Sequence, residues 1–212
     1  MRVLLLGSNG AIGKRYAAIL KHENADFIAV DDPNGVDIGN YVFDKVLIAT
    51  PTKTHKEYCL QAIRHKKPFL CEKPLAESEE DARYIQQAAA NIGVQGNIVC
   101  NWKVAVERLV RNVYPPYRIT YDYYNTGNED LKWNMAQLIY LDAWVRIYTE
   151  SPRWNVQVNG QDMRYRQIEH SYVLMIKDWL SGQYQNLWNL EDGVKMVVAC
   201  TNWDKRHGKS KR

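Results

Sequence analysis

The sequence predicts an α/β protein: a parallel sheet with crossover helices over residues 1–100, then a shortened α+β domain over 101–203 and a basic tail over 204–212. Three observations carry that reading. Short β-branched or leucine-rich runs alternate with segments of helical period through the first hundred residues. A glycine-rich turn follows the first run and opens a helix, and acidic residues close the second run. Aromatic usage then changes: residues 1–100 hold no Trp and four Tyr, whereas 101–212 hold all seven Trp, ten Tyr and no Phe. The 212 residues are 46% hydrophobic and 25% charged with 12 Gly and 7 Pro, an ordinary globular balance with length for one large core or two small ones.

The runs at 3–6, 27–30, 46–49, 69–71 and 94–100 are the predicted strands. Between the first two, Ile12, Tyr16, Ile19 and Leu20 recur on one helical face, and after the third run Tyr58, Cys59, Ala62 and Ile63 do the same; both faces read as packing surfaces. A third helix starts at an N-cap Ser78, with Glu79, Glu80 and Asp81 in its first turn, where acids suit the positive helix end. The second part reads as a helix at 104–112, a strand at 117–124, a helix at 135–148, a strand at 154–158 and helices at 168–180 and 190–203. Pro115, Pro116, Gly127, Pro152, Gly160 and Gly182 break them apart.

Charge and cysteine usage exclude several classes. The tail carries five Lys or Arg and one acid, leaving 23 basic and 23 acidic residues before it, so the body is neutral. The tail reads as a frayed solubilising terminus, and nucleic acid is not an expected partner. Cys59, Cys71, Cys100 and Cys200 form no CxxC pair, so neither a metal site nor a dense disulfide framework is expected. Apolar runs fall far short of the ~18 residues a bilayer span needs. The expectation is a cytoplasmic protein with reduced thiols and no membrane segment or signal peptide.

The first chemical signal is the stretch Gly7, Ser8, Asn9, Gly10, Ala11, Ile12, Gly13, directly after a strand and opening a helix. Glycines let a backbone approach a pyrophosphate, and free N–H groups with the helix dipole stabilise its charge. The spacing is G-x-x-G-x-x-G, so Ser8 takes the usual first-glycine slot of G-x-G-x-x-G. An acid at the second strand end accepts hydrogen bonds from a ribose 2′-hydroxyl and repels a 2′-phosphate, which favours NAD over NADP. Asp31 is the first choice for that role and Asp32 the second. The alternative is a glycine-rich turn with an acidic loop and no ligand.

Further on stand Ala49, Thr50, Pro51, Thr52, Lys53, Thr54 and His55 after one strand, and Cys71, Glu72, Lys73, Pro74 and Leu75 after the next. Both stretches lie at carboxyl ends of strands, the edge where open α/β sheets bind ligands. The E-K-P triplet at 72–74 and the A-T-P-x-x-x-H stretch ending at His55 resemble the Gfo/Idh/MocA family of nicotinamide-dependent oxidoreductases. The resemblance covers residues 1–103 and returns at about 168–203. It implies a Rossmann-type nucleotide-binding domain, NAD as cofactor, and a homodimer or higher homo-oligomer formed through the second-domain sheet.

It also implies roles for single residues. Lys73 becomes the catalytic candidate beside nicotinamide and substrate hydroxyl, with Pro74, often in a cis Lys–Pro bond in this family, as its positioning device. Gly7, Ser8, Asn9, Gly10, Ala11, Ile12, Gly13, Asp31, Asp32, Thr50, Pro51, Thr52, His55, Glu72, Lys73, Pro74 and Asn101 contact or shape the cofactor site. Asn101 and Lys103 match an N-x-R-like stretch, with Lys in place of Arg. Lysine suits the chemistry: removing hydride from a carbinol carbon needs the hydroxyl proton to leave too, and a partly desolvated lysine accepts it or stabilises the alkoxide.

Two departures stand out. Relatives usually carry D-x-x-x-H-x-x-D at a helix start in the second domain; the nearest stretch here is 133–140, where Gln137 replaces the histidine. An amide holds a hydroxyl but cannot relay its proton. Tyr140, three residues on along the expected helix, is a second substrate holder. The other departure is economy, since 31–46 has hardly room for the usual helix and extra strand. A strand with Tyr117, Ile119, Tyr121 and Tyr123 on one side carries an aromatic stripe, read as core or homodimer packing before sugar stacking. The expected activity is hydride transfer between NAD(H) and a hydroxyl or keto carbon of a sugar, cyclitol or nucleotide sugar. The rival is a non-catalytic protein keeping the fold for nucleotide binding, assembly or regulation.

Overall fold

A computed structural model describes residues 1–32, 34–100, 120–125, 134–139, 144–150, 153–158, 161–163 and 171–207. The first part alternates β1 (Arg2–Leu6), α1 (Ala11–His22), β2 (Asp26–Val30), β3 (Lys45–Ile48), α2 (Thr52–Arg64), β4 (Phe69–Cys71), α3 (Glu79–Ile92) and β5 (Gly96–Ile98). Strands β6 (Thr120–Asn125), β7 (Asn134–Ile139), β8 (Trp144–Glu150), β9 (Arg153–Val158) and β10 (Gln161–Met163) follow, and α4 (Ser171–Leu180), β11 (Trp188–Asn189) and α5 (Leu190–His207) complete the order.

Six strands form one sheet in the order β11-β5-β4-β3-β1-β2, parallel throughout except for the antiparallel β11. Both faces of this sheet are covered, which is why its strands are continuous apolar runs. Leu4, Leu6, Val46, Ile48, Phe69 and Cys71 point to α2, α3 and α5, and Val3, Leu5, Leu47 and Leu70 point to α1 and α4. Strand order reverses between β1 and β3, so the loops after these two strands flank the crevice where such sheets take ligands. This is the Rossmann-type α/β fold.

Among its described residues, the stretch from 31 to 44 holds only a 3-10 turn, Ile38–Asn40. Side chains of α2 replace the missing element: the Tyr58 hydroxyl accepts from the Val36 N–H, and Gln61 accepts from the Ile38 N–H while donating to the Val36 carbonyl. Helix α3 starts on the Ser78 cap, whose hydroxyl accepts from the Asp81 N–H at 3.1 Å.

The second part departs from expectation at its centre. Residues 135–148, read as a helix, instead supply β7 and β8, and all six residues of β7 pair antiparallel with β6 on one side and β8 on the other. Val145, Ile147 and Thr149 are β-branched and Tyr148 is aromatic, all suited to a pleated surface, and ladder pairing on both sides outweighs the weak helical spacing. With β9 and β10 these strands make a five-stranded antiparallel sheet in the order β10-β9-β8-β7-β6. The helix read at 104–112 lies outside the described residues, as do 117–119 of the first strand; 120–125 and 153–158 are strands.

Residues 171–207 return to the first sheet. β11 pairs with β5, α5 packs on α3 and β5, and α4 packs on α1. Trp179 and Trp188 are thereby fully buried. The aromatic change at residue 100 therefore does not follow this packing, since the last helices share the first sheet's core.

Candidate functional site

Three glycines build the turn after β1 in different ways. Gly7 takes φ +79°, the left-handed region, and a Cβ there would lie 2.6 Å from the Ala49 carbonyl oxygen. Its N–H donates to the Val30 carbonyl at 2.9 Å, and the left-handed glycine of the turn thus stands one residue before the slot that Ser8 takes. Gly13 is buried, and a Cβ on it would lie 2.0 Å from the Gly7 carbonyl oxygen, so it is the close-packing glycine of helix on turn. Gly10 is exposed, with φ −65° and ψ 162°, a conformation open to any residue; its Cβ would meet only the Gly7 carbonyl oxygen, at 3.6 Å.

Gly10 is the N-cap of α1, no side chain caps it, and the first turn has no acid. The free N–H groups and the positive helix end are thus left for an external anion, and the missing side chain leaves room for it. Ser8 and Ile12 are half-buried, and Asn9 and Ala11 exposed. The Asn9 N–H donates to Asp31 Oδ2 at 2.7 Å, joining the turn to the end of β2, and Asp31 is exposed. Asp32 is exposed and closes its own turn by accepting from the Asn34 N–H at 2.9 Å.

Across the crevice, Pro51 caps α2, again without a side-chain bond. The Thr54 hydroxyl donates within this turn, 2.8 Å from both Thr50 Oγ1 and the Pro51 carbonyl oxygen, and Thr52 is half-buried. His55 is buried, with Nδ1 2.8 Å from the Pro74 carbonyl oxygen and Nε2 2.8 Å from that of Thr50. Both ring nitrogens are occupied inside the protein, so His55 ties the two strand-end loops together and has no nitrogen left for a ligand.

Glu72 is buried as well. Its Oε1 accepts from the Tyr16 hydroxyl at 2.5 Å and its Oε2 from the Lys73 N–H at 3.0 Å, so it shapes the loop from within. The Lys73–Pro74 bond is cis. Lys73 itself is exposed, so the partial desolvation expected of it is not supplied by the described residues. Gln137 lies on β7, opposite Asp122 of β6 and Arg146 of β8, rather than at a helix start, and the shared helical face argued for Gln137 and Tyr140 is lost with that helix. Tyr140 and Asn101 are outside the described residues.

Sequence reasoning placed Tyr16 on a packing face and missed its hydroxyl. A tyrosine in the buried row of a helix was the available signal, because a buried phenol takes a hydrogen-bond partner.

The cradle, the Asp31 brace and the E-K-P loop share one sheet edge, and residues 37–99 match the model of an oxidoreductase family with an NAD-binding Rossmann fold. Over these residues the chain is similar to the Gfo/Idh/MocA oxidoreductase family. Among its relatives, glucose-6-phosphate 3-dehydrogenase of Bacillus subtilis (strain 168) is 27% identical over 119 residues, covering 48% of this chain and 34% of the relative. Inositol 2-dehydrogenase of Paracoccus denitrificans is 43% identical over 63 residues, 30% of this chain and 18% of the relative. The chain thus matches about a third or less of these curated relatives' length. Among solved structures, UDP-N-acetylglucosamine 3-dehydrogenase from Acidithiobacillus ferrooxidans superposes with a TM-score of 0.64 at 13% identity, covering 98% of this chain and 97% of that one. The WlbA dehydrogenase from Thermus thermophilus, in complex with NAD and UDP-GlcNAcA, gives 0.60 at 15% identity, over 93% and 92% of the two chains. These two likenesses show a shared fold over nearly the whole chain.

Proposed function

We propose that this chain is an NAD-dependent oxidoreductase that moves hydride between NAD(H) and a hydroxyl-bearing carbon of a sugar, cyclitol or nucleotide sugar. The observation that carries the reading is the convergence at one sheet edge of an uncapped helix start, an exposed Asp31 at the end of β2 and the loop of Lys73. In this reading the N-terminus of α1 holds the pyrophosphate over Gly10, and Asp31 Oδ1 accepts from the ribose hydroxyls. NAD, when bound, supplies the hydride acceptor. Lys73 takes the substrate's hydroxyl proton as the carbinol becomes a carbonyl, or returns it in the reverse direction. Being exposed, it relies on the bound ligands to exclude water. Assembly through the antiparallel second sheet belongs to the same proposal, as does a cytoplasmic location, which the buried thiols of Cys59 and Cys71 suit.

The test is calorimetric titration of nucleotide-stripped protein with NADH and NADPH, followed by NADH formation from NAD with myo-inositol, glucose 6-phosphate and UDP-N-acetylglucosamine. Preferred NADH binding and turnover that Lys73→Met abolishes are expected; turnover untouched by Lys73→Met overturns the role of the lysine. A second reading, nucleotide binding without turnover, is favoured by one observation: the stretch aligned with the family's proton-transferring helix forms strand β7. NADH binding with no turnover on any of these substrates favours it.

A further inference from the structure

We propose that Tyr16 is a positioning residue, which through Glu72 fixes the backbone from which Lys73 reaches the crevice. The inference rests on the proposed function only for Lys73 as the reacting amine. The chain of contacts is short and fully internal. Tyr16 lies on α1, three residues past the close-packing Gly13, and is 0% exposed. Its hydroxyl donates to Glu72 Oε1 at 2.5 Å, and Glu72 Oε2 accepts from the Lys73 N–H at 3.0 Å. A carboxylate held at both oxygens keeps one orientation, so the helix that starts at the anion cradle and the loop that carries the lysine become one rigid unit.

The surroundings keep Tyr16 a donor. Burial first, and then the negative charge of Glu72, push its hydroxyl well above the ordinary range, so the proton stays on the phenol. From α4, Tyr172 meets the Tyr16 ring edge-on with centroids 6.1 Å apart, and the Arg15 guanidinium lies 4.8 Å from the Tyr172 ring centre. A phenylalanine would fill the same volume, so packing does not account for the hydroxyl. Its acceptor is the carboxylate adjoining Lys73, which makes positioning its physical consequence.

Amide hydrogen exchange in the full chain without ligand tests this. The Lys73 N–H is protected by Glu72, and the neighbouring Glu72 N–H by the Ile48 carbonyl at 2.9 Å, which serves as control. Tyr16→Phe is expected to speed exchange at Lys73 about tenfold with the Glu72 amide unchanged. Glu72→Met, which keeps the side-chain reach but removes both acceptor oxygens, is expected to speed Lys73 in the same selective way and carries the test should Tyr16→Phe not fold. An unprotected Lys73 amide in the wild type, no change in the variants, or an equal rise at both amides overturns the proposal.

A kinetic split completes the test: Tyr16→Phe lowers kcat about tenfold with the KM for NAD changed less than about threefold. The opposite split overturns the positioning role. Should the wild type bind no NADH, the proposed function falls while the exchange result still decides what Tyr16 does.

Discussion

Gly10 and Gly13, three residues apart on one turn, answer to different constraints and give opposite predictions. A Cβ at Gly13 would lie 2.0 Å from the Gly7 carbonyl oxygen, whereas at Gly10 the nearest atom is 3.6 Å away. Gly13→Ala is expected to destabilise by about 1–3 kcal/mol or more, read as a lower urea midpoint. Gly10→Ala should keep the midpoint and weaken NADH binding by about tenfold or more, since its methyl group occupies the space over the helix start. A surface pair gives a pH dependence. The Lys56 ammonium, 2.5 Å from Asp81 Oδ1, holds that carboxyl below its ordinary value. The stabilisation is complete above the ordinary carboxyl value and fades as the pH falls through the lowered one, where the folded-state carboxylate takes up its proton. The gap in urea midpoint between wild type and Asp81→Asn should therefore close in acid and stay open at neutrality.

Elements are held at their ends by residues from elsewhere in the chain. Lys45, the first residue of β3, is buried and donates to the Trp179 and Leu180 carbonyl oxygens at 2.6 and 3.0 Å, capping the C-terminus of α4. Its ammonium also lies near the rings of Trp179 and Tyr184. Lys45→Met removes the ammonium from a negative helix end and leaves the Trp179 carbonyl with the Gly182 N–H at 3.3 Å; it should cost about 1–2 kcal/mol, with exchange faster in the last turn of α4 than in α1. At the start of α5, Asn189 and Asp192 cap reciprocally, each side chain accepting from the other's N–H. These helices and the parallel strands were legible because period and cap are local properties. β7 and β8 were not: helical spacing there is weak, and strand pairing with distant neighbours decides such a segment.

At the scale of the molecule, the first sheet is closed by the end of the chain. α4 covers the face made by Val3, Leu5, Leu47 and Leu70, and α5 covers part of the opposite face. Truncation after residue 170 would uncover both faces and remove the β11 pairing from β5. Residues 1–170 alone should accordingly show no cooperative urea transition, and a fragment with a full transition would refute this account. By itself the sequence determined the parallel α/β class, the glycine turn, the acid at the end of β2 and the E-K-P loop, because each is written in a few neighbouring residues. Only the tertiary structure decided that His55 faces inward, that Lys73 is exposed, and that residues 171–207 join the first core. It alone joined Tyr16 to Glu72, 56 positions away. The physical reason is that burial and long-range hydrogen bonds are properties of packed surfaces, and no local period specifies which surfaces meet.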